Sequence, residues 1–311
     1  MNRRHFLKQM GQGSLLVGTG AFPMEALAVA KPEITRLTIL HTNDVHSRID
    51  PFPMDGTRTQ GLGGAARRAA LIQQIRKQES NVLLFDAGDI FQGTPYFNFY
   101  GGELELKLMS EMQYDAATIG NHDFDAGMDG LLKQLPNAKF PLLNLNYDFN
   151  NTLLKDKVQP YKIFQKDGIK IGVFGVGIEL QGLVAEQNFA GTQYTDPLAP
   201  ATKTATFLKK EMNCDYVVCL SHLGYKFNDN KSKICDIHLA EKSKNIDLII
   251  GGHTHTFMDK PDIRKNLEEA PVVINQVGWA GLMLGRLDVY FEKSRDAKCA
   301  DCKNIYIGKS S

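Results

Sequence analysis

From Arg36 onward, short apolar runs alternate with amphipathic stretches, and most of the runs end in a polar loop. Leu37–Leu40, Val82–Phe85, Ala116–Ile119, Pro141–Leu145, Ile169–Val176, Tyr216–Leu220 and Asp247–Ile250 are brief and rich in Val, Ile, Leu and Phe, the pattern of buried strands. Tyr161–Gln165 faces the long Ile169 run across Asp167-Gly168, which predicts a hairpin. Between these runs, Ala69, Leu71, Ile72 and Ile75 recur at helical spacing. Glu103–Met112, Met128–Leu135, Pro200–Met212 and Ile234–Lys244 also read as helices. Past residue 270 the strand-like pieces Val272–Asn275, Leu282–Phe291 and Ile305–Ile307 follow with no helix between them. Interleaved helices early and successive strands late predict an α/β domain of mixed sheets faced by helices.

The polar loops are the unusual part. Gly120-Asn121-His122-Asp123-Phe124-Asp125 follows the Ala116–Ile119 strand directly and is poor core material. An open α/β sheet places its ligand groups at the carboxyl ends of its strands. Other runs end alike: His41-Thr42-Asn43-Asp44-Val45-His46, Asp86-Ala87-Gly88-Asp89, Ser221-His222 and Gly251-Gly252-His253-Thr254-His255. A formal G-x-G-x-x-A match at Gly61–Ala66 follows a long loop where a dinucleotide fingerprint needs a strand, so a helix start is expected there.

Composition narrows the class. The chain has 311 residues, 43% hydrophobic and 23% charged, as an ordinary globular protein does. Its 36 basic and 35 acidic residues fall to 33 and 34 once Arg3, Arg4, Lys8 and Glu25 of the first thirty are removed. That balance argues against nucleic-acid binding.

The first thirty residues read as an address. Arg3-Arg4-His5-Phe6-Leu7-Lys8 resembles the twin-arginine export signal; Gly13–Phe22 is mildly apolar, and Ala26, Ala28 and Ala30 suit a cleavage site. The expectation is a twin-arginine-type signal over 1–30 and a soluble domain over 31–311, exported to the periplasm or cell envelope. No other run approaches the ~20 apolar residues of a transmembrane span. Of five cysteines, Cys219 reads as core, while Cys299-Ala-Asp-Cys302 fits a local disulfide better than a zinc knuckle, which needs a second pair.

Histidine placement points to chemistry. Seven histidines follow residue 30, and five of them, His46, His122, His222, His253 and His255, sit at the polar strand ends; only His41 and His238 do not. With Asp44, Asp89 and Asn121 they form a carboxylate, imidazole and amide donor set without thiolate, suited to divalent Mn, Zn, Fe, Co or Mg. The number of donors exceeds one ion's need and suits two ions sharing a carboxylate.

The motifs D-x-H, G-D-x-x-x-G, G-N-H-D, S-H-L-G and G-G-H-x-H, in this order between residues 39 and 255, resemble the calcineurin-like metallophosphoesterases. The wording ILHTNDVH, GDIFQG, GNHDFD and GGHTH is similar to the 5′-nucleotidase/UDP-sugar hydrolase branch. The resemblance implies a sandwich of two mixed β-sheets faced by helices. It implies that Asp44, His46 and His255 bind one metal, that Asn121, His222 and His253 bind another, and that Asp89 bridges them. His122, oriented by Asp125, would stabilise the transition state or protonate the leaving group, with Asn121 and His122 contacting substrate. Asp86, Asp123 and His41 would support the site.

The expected reaction is phosphomonoester hydrolysis of a small phosphorylated substrate, a 5′-nucleotide, by metal-activated water. Alternatives on the same centre are cyclic phosphodiester, nucleotide-sugar pyrophosphate or thiosulfohydrolase-like cleavage; a metal- or phosphate-binding subunit is the non-enzymatic alternative. Members of that branch usually continue into a second domain that holds the base. The resemblance therefore implies either a chain that works alone on less demanding phosphoesters or a separate chain that supplies that half as a partner.

Overall fold

The computed structural model describes residues 34–229, 232–292 and 297–308. The twin-arginine-type segment lies outside the described residues.

Two six-stranded sheets form the frame. The first contains β1 (Thr35–Thr42), β2 (Val82–Asp86), β3 (Ala116–Thr118), β4 (Leu142–Leu143), β13 (Met283–Phe291) and β14 (Ala297–Tyr306), in the order β14-β13-β1-β2-β3-β4. The second contains β6 (Tyr161–Lys166), β7 (Ile169–Gly177), β9 (Tyr216–His222), β10 (Leu248–Gly251), β11 (Asp262–Lys265) and β12 (Pro271–Asn275), in the order β11-β12-β10-β9-β7-β6. β5 (Tyr147–Asp148) and β8 (Gln193–Tyr194) pair separately. The first sheet is parallel from β1 to its β4 edge and antiparallel on the β13–β14 side. The second is parallel at its centre and antiparallel at both edges, so both are mixed.

Strand alternation decides which side chains meet. Along β1, Leu37 and Ile39 join Leu83 and Phe85 of β2 in a core shared with Val218, Leu220, Leu248 and Ile250 of the other sheet. The intervening Leu40 and Leu84 face outward instead, onto Ile72 and Ile75 of α1 (Ala65–Gln78) and Leu106 and Met109 of α3 (Glu103–Glu111). In the second sheet Val217, Cys219 and Ile249 turn outward to Ala201, Ala205 and Leu208 of α5 (Leu198–Lys210) and to Leu239 of α6 (Asp236–Lys242). Strands buried on both faces read as continuous apolar runs because successive side chains enter different cores. The result is the expected sandwich of two mixed sheets faced by helices.

Some elements carry no clear sequence pattern. β14 begins at Ala297, well before Ile305, and runs antiparallel along β13 as an edge strand. Its Ala-Lys-Cys-Ala-Asp-Cys-Lys-Asn stretch lacks apolar alternation; it pairs along β13, Cys302 packs against the inter-sheet core, and Asn304 bonds Asn275 and the Met258 carbonyl. β11 is likewise a polar edge strand. The short helix α2 (Pro95–Tyr100) follows the β2 loop, and α4 (Gly127–Gln134) follows the β3 loop.

Cys214, Cys219 and Cys235 are buried free thiols; the side chain of Cys299 lies outside the described residues. Among the described residues no helix is long and apolar enough to cross a membrane.

Parallel pairing aligns the carboxyl ends that matter. Thr42 stands opposite Asp86 and Ser221 opposite Gly251, so the loops carrying Asp44, Asp89, His222 and His253 leave the same rim of the sandwich.

Candidate metal centre

The rim loops are laced together by backbone bonds. Asp44, His46 and Ser47 donate their N–H groups to the carbonyls of Gly88, Asp89 and Ile90, at 2.9, 3.1 and 2.9 Å. The β1 and β2 loops therefore run side by side beyond the sheet. Gly88 and Gly120 make this approach possible. A Cβ on Gly88 would lie 2.6 Å from the Gly120 nitrogen, and one on Gly120 would collide with Asp89.

Two groups of ligand-type atoms converge at this rim. Asp44, His46 and His255 form one and Asp89, His222 and His253 the other, each with donor atoms all within 4.8 Å of one another. Asn121 joins the second: its Oδ1 lies 2.9 Å from His253 Nδ1. Asp89 Oδ2 stands between the groups, 3.2 Å from His222 Nε2 and 3.8 Å from His46 Nε2.

Five of these residues adopt left-handed backbone: Asp44 (φ 49°), His46 (51°), Asp89 (54°), His253 (70°) and His255 (51°). For residues with a Cβ this costs about 1–3 kcal/mol each, and it persists only where the surroundings over-determine it. Such concentrated strain marks a site built for something other than stability.

The nitrogen lone pairs favour a cation. His222 Nδ1 lies 2.7 Å from the Ala87 carbonyl, to which it donates, so Nε2 of the neutral ring turns a lone pair toward Asp89. That Nε2 is buried and has no hydrogen-bond partner among the described residues. His46 Nδ1 likewise donates to the Gln92 carbonyl at 3.1 Å, and its Nε2 meets His255 Nε2 at 3.0 Å. A neutral His255 can meet His46 by carrying its proton on Nε2. Buried His222, whose Nδ1 already donates to Ala87, has no such tautomer and turns its Nε2 lone pair onto the Asp89 carboxylate. Without a cation, protonation relieves that contact. Burial opposes charge on His222, but Asp89 overrides it and pushes the imidazole up to about 10. His253 moves the other way, to about 3, because burial and then His222 disfavour its charge. Oxygen and imidazole donors of this kind fit divalent metal ions.

His122 stands apart from the two groups. Its Nδ1 lies 2.8 Å from Asp125 Oδ2, and its backbone N–H donates to Asp89 Oδ1 at 2.8 Å. Its side chain is 38% exposed, so it can meet a substrate. Burial opposes its charge, but Asp125 and Asp89 hold its pKa above the usual histidine value.

The supporting residues divide. Asp123 accepts four backbone N–H groups, from Gly120 (2.8 Å) and Asp89 (3.1 Å) on Oδ2, and from Ile90 (2.9 Å) and Phe91 (3.1 Å) on Oδ1. It thereby ties the β3 loop to the β2 loop. Asp86 accepts from Thr42 Oγ1 (2.6 Å) and the Gly88 amide (2.9 Å). His41, expected beside the site, instead bonds Asn275 at 2.8 Å, and Asn275 continues to Asn304 between the sheets. As a β1 residue it points inward by strand alternation, away from the loop that follows.

Sequence reasoning assigned no role to Asn43, which donates to Asp44 Oδ2 (2.6 Å) and to the Gly278 carbonyl (2.7 Å) and accepts from the Val277 amide (2.9 Å). It also passed over Trp279. The glycines bracketing Trp279, Gly278 and Gly281, were the available signal for a tight loop there.

The calcineurin-like phosphoesterase family model matches residues 37–257. A snake venom 5′-nucleotidase from Naja atra is 33% identical over 294 residues, covering 88% of this chain and 54% of that protein. The solved 5′-nucleotidase precursor of Thermus thermophilus is 29% identical, with a TM-score of 0.78 over 88% of this chain and 55% of its own. The NAD nucleotidase of Haemophilus influenzae, also 29% identical, gives 0.77 over 88% of this chain and 50% of its own. The chain thus spans about half the length of these relatives.

Proposed function

This chain belongs to the calcineurin-like phosphoesterases, and from that membership and its paired clusters we propose that it hydrolyses phosphoesters at a two-metal centre, with 5′-nucleotides as substrates. The observation that carries the reading is the position of Asp89 Oδ2, within reach of an imidazole from each cluster. In this proposal Asp44, His46 and His255 hold one divalent cation, Asn121, His222 and His253 the other, and Asp89 both. When bound, such a pair supplies Lewis-acid polarisation of phosphoryl oxygens and lowers the pKa of a bound water.

The chain's own residues do the rest. The left-handed turns at Asp44, Asp89, His253 and His255 fix the donors before any ligand arrives, so little reorganisation is needed at reaction. Asp123 locks the spacing between Asp89 and the Asn121-His122 pair through its four amide bonds. Asp125 binds His122 Nδ1 and favours the imidazolium. The other ring nitrogen, Nε2, is then free to donate a proton to the leaving alkoxide. Asn121 and His122 contact the substrate.

Residues 31–311 form the catalytic unit in this reading, and 1–30 direct it through the twin-arginine route to the periplasm or envelope. The nucleotide preference is supported by the 5′-nucleotidase relatives.

Phosphate release from 5′-AMP and p-nitrophenyl phosphate, after chelation and re-addition of Mn, Zn, Co or Mg, tests the proposal. Chelation should abolish turnover and one of the metals restore it. Unchanged turnover after complete chelation would sink the metal centre. Cleavage of the aryl ester with little on AMP would assign nucleotide recognition to another chain.

A further inference from the structure

Trp279 is the single tryptophan of the chain, and it stands against the first cluster. Its indole lies face to face with the His255 imidazole, ring centroids 5.7 Å apart and planes 9° from parallel. The loop that carries it is pinned at several points. Asn43 brackets Gly278 and Val277, the Gly278 amide donates to the Thr256 carbonyl (2.9 Å), and the Ala280 amide donates to the Asp44 carbonyl (2.7 Å). Gly278, Ala280 and Gly281 all take left-handed backbone to make the turn. Phe52 meets the indole edge-on at 5.9 Å, and the Arg48 guanidinium covers Phe52 at 4.2 Å. The indole is therefore a fixed plane, registered to Asp44 through the backbone and to His255 through its face.

His255 needs such a plane. A metal-ligating imidazole is ordinarily oriented by a hydrogen bond to its other ring nitrogen. His46 and His222 have one, to the Gln92 and Ala87 carbonyls. No described hydrogen bond holds His255 Nδ1, and its side chain is 40% exposed against 10% for His46 and 0% for His222. Ring stacking supplies the orientation that hydrogen bonding supplies elsewhere.

We propose that Trp279 is a positioning residue for His255 and through it sets the affinity of the first of the two cations. This rests on the metal-centre reading above. Because no other tryptophan contributes, indole emission should report filling of the centre beside Trp279.

The test titrates Co2+ into chelator-treated full-length protein, followed by calorimetry and by tryptophan emission. Wild type should bind two ions by calorimetry, with emission changing as the centre fills. Trp279→Leu should bind one ion roughly 3- to 10-fold more weakly and the other within about twofold of wild type. Trp279→Phe, which keeps an aromatic face, should recover most of the loss. Equal affinity of the Leu variant and wild type at both ions would overturn the proposal, as would equal weakening at both, or a Phe variant as weak as Leu. Should the Leu variant fail to fold, the wild-type signal and the Phe variant decide: emission unmoved while both ions bind also overturns it. A wild type that binds no Co2+ would sink the metal centre and the stack together, whereas normal binding with an indifferent Trp279 sinks only the stack.

Discussion

Replacing Asp123 with Asn probes the clamp that spaces the two rim loops. The carboxylate is 3% exposed and accepts two amides on each oxygen. An asparagine can keep the pair from Ile90 and Phe91 on its carbonyl oxygen. Its NH2 then faces the amides of Gly120 and Asp89, donor against donor. Two buried N–H groups lose their acceptor, at about 1–2 kcal/mol each once partial relaxation is allowed. Burial and the neighbouring Asp89 push the Asp123 carboxyl up to about 7, so a neutral amide recovers part of that loss. The variant should be about 1–3 kcal/mol less stable. For a domain of this size that is a fall of roughly 3–12 °C in Tm. The measurement is thermal unfolding of both proteins after chelation, so that cation binding does not contribute. A loss below about 0.5 kcal/mol would refute the reasoning, since it would mean that the four bonds do not clamp the loops in solution. Re-adding Mn2+ should widen the gap, because the displaced amides belong to the Asp89 and Asn121 loops.

Other outcomes follow from the same geometry. His122→Ala should retain both metals by elemental analysis while kcat falls about 10²- to 10⁴-fold; loss of metal in proportion to rate would mean that His122 is a ligand. Gly120→Ala would drive its Cβ into the Asp89 carboxylate and amide, so cation affinity by calorimetry should fall by about tenfold or more, corresponding to at least ~1.4 kcal/mol of strain; wild-type affinity would show that the loops yield freely. Away from the site, burial opposes charge on Asp288, but Arg36, Thr38 and Arg286 hold its pKa below the usual carboxylate value. A depressed carboxylate stabilises above its unfolded pKa of ~3.9 and loses that contribution as pH falls through the folded value. Asp288→Asn should therefore cost about 1–3 kcal/mol near neutral pH, and in chemical denaturation that cost should shrink as pH falls below about 4; a gap independent of pH would refute the ion-pair account.

Much of this protein was legible in the chain itself. Buried central strands announce themselves because both faces must be apolar: Leu37–Leu40, Val82–Phe85 and Tyr216–Leu220 lie in β1, β2 and β9, and Asp247–Ile250 lies in β10 but for its first residue. The candidate ligands were legible because Asp and His directly after such runs have no packing reason to be there. The polar edge strands, β11 and most of β14, left no hydrophobic trace. The tertiary structure alone decided the partners. Parallel register brought five loops, separated by up to two hundred residues, to one rim, and left-handed backbone at Asp44, Asp89 and His255 aimed their side chains inward. It also separated His41 from its neighbour Asp44, since strand alternation sends one between the sheets and the loop carries the other to the rim. Residue type is a local property, whereas the direction of a side chain depends on register and backbone handedness, which distant segments impose.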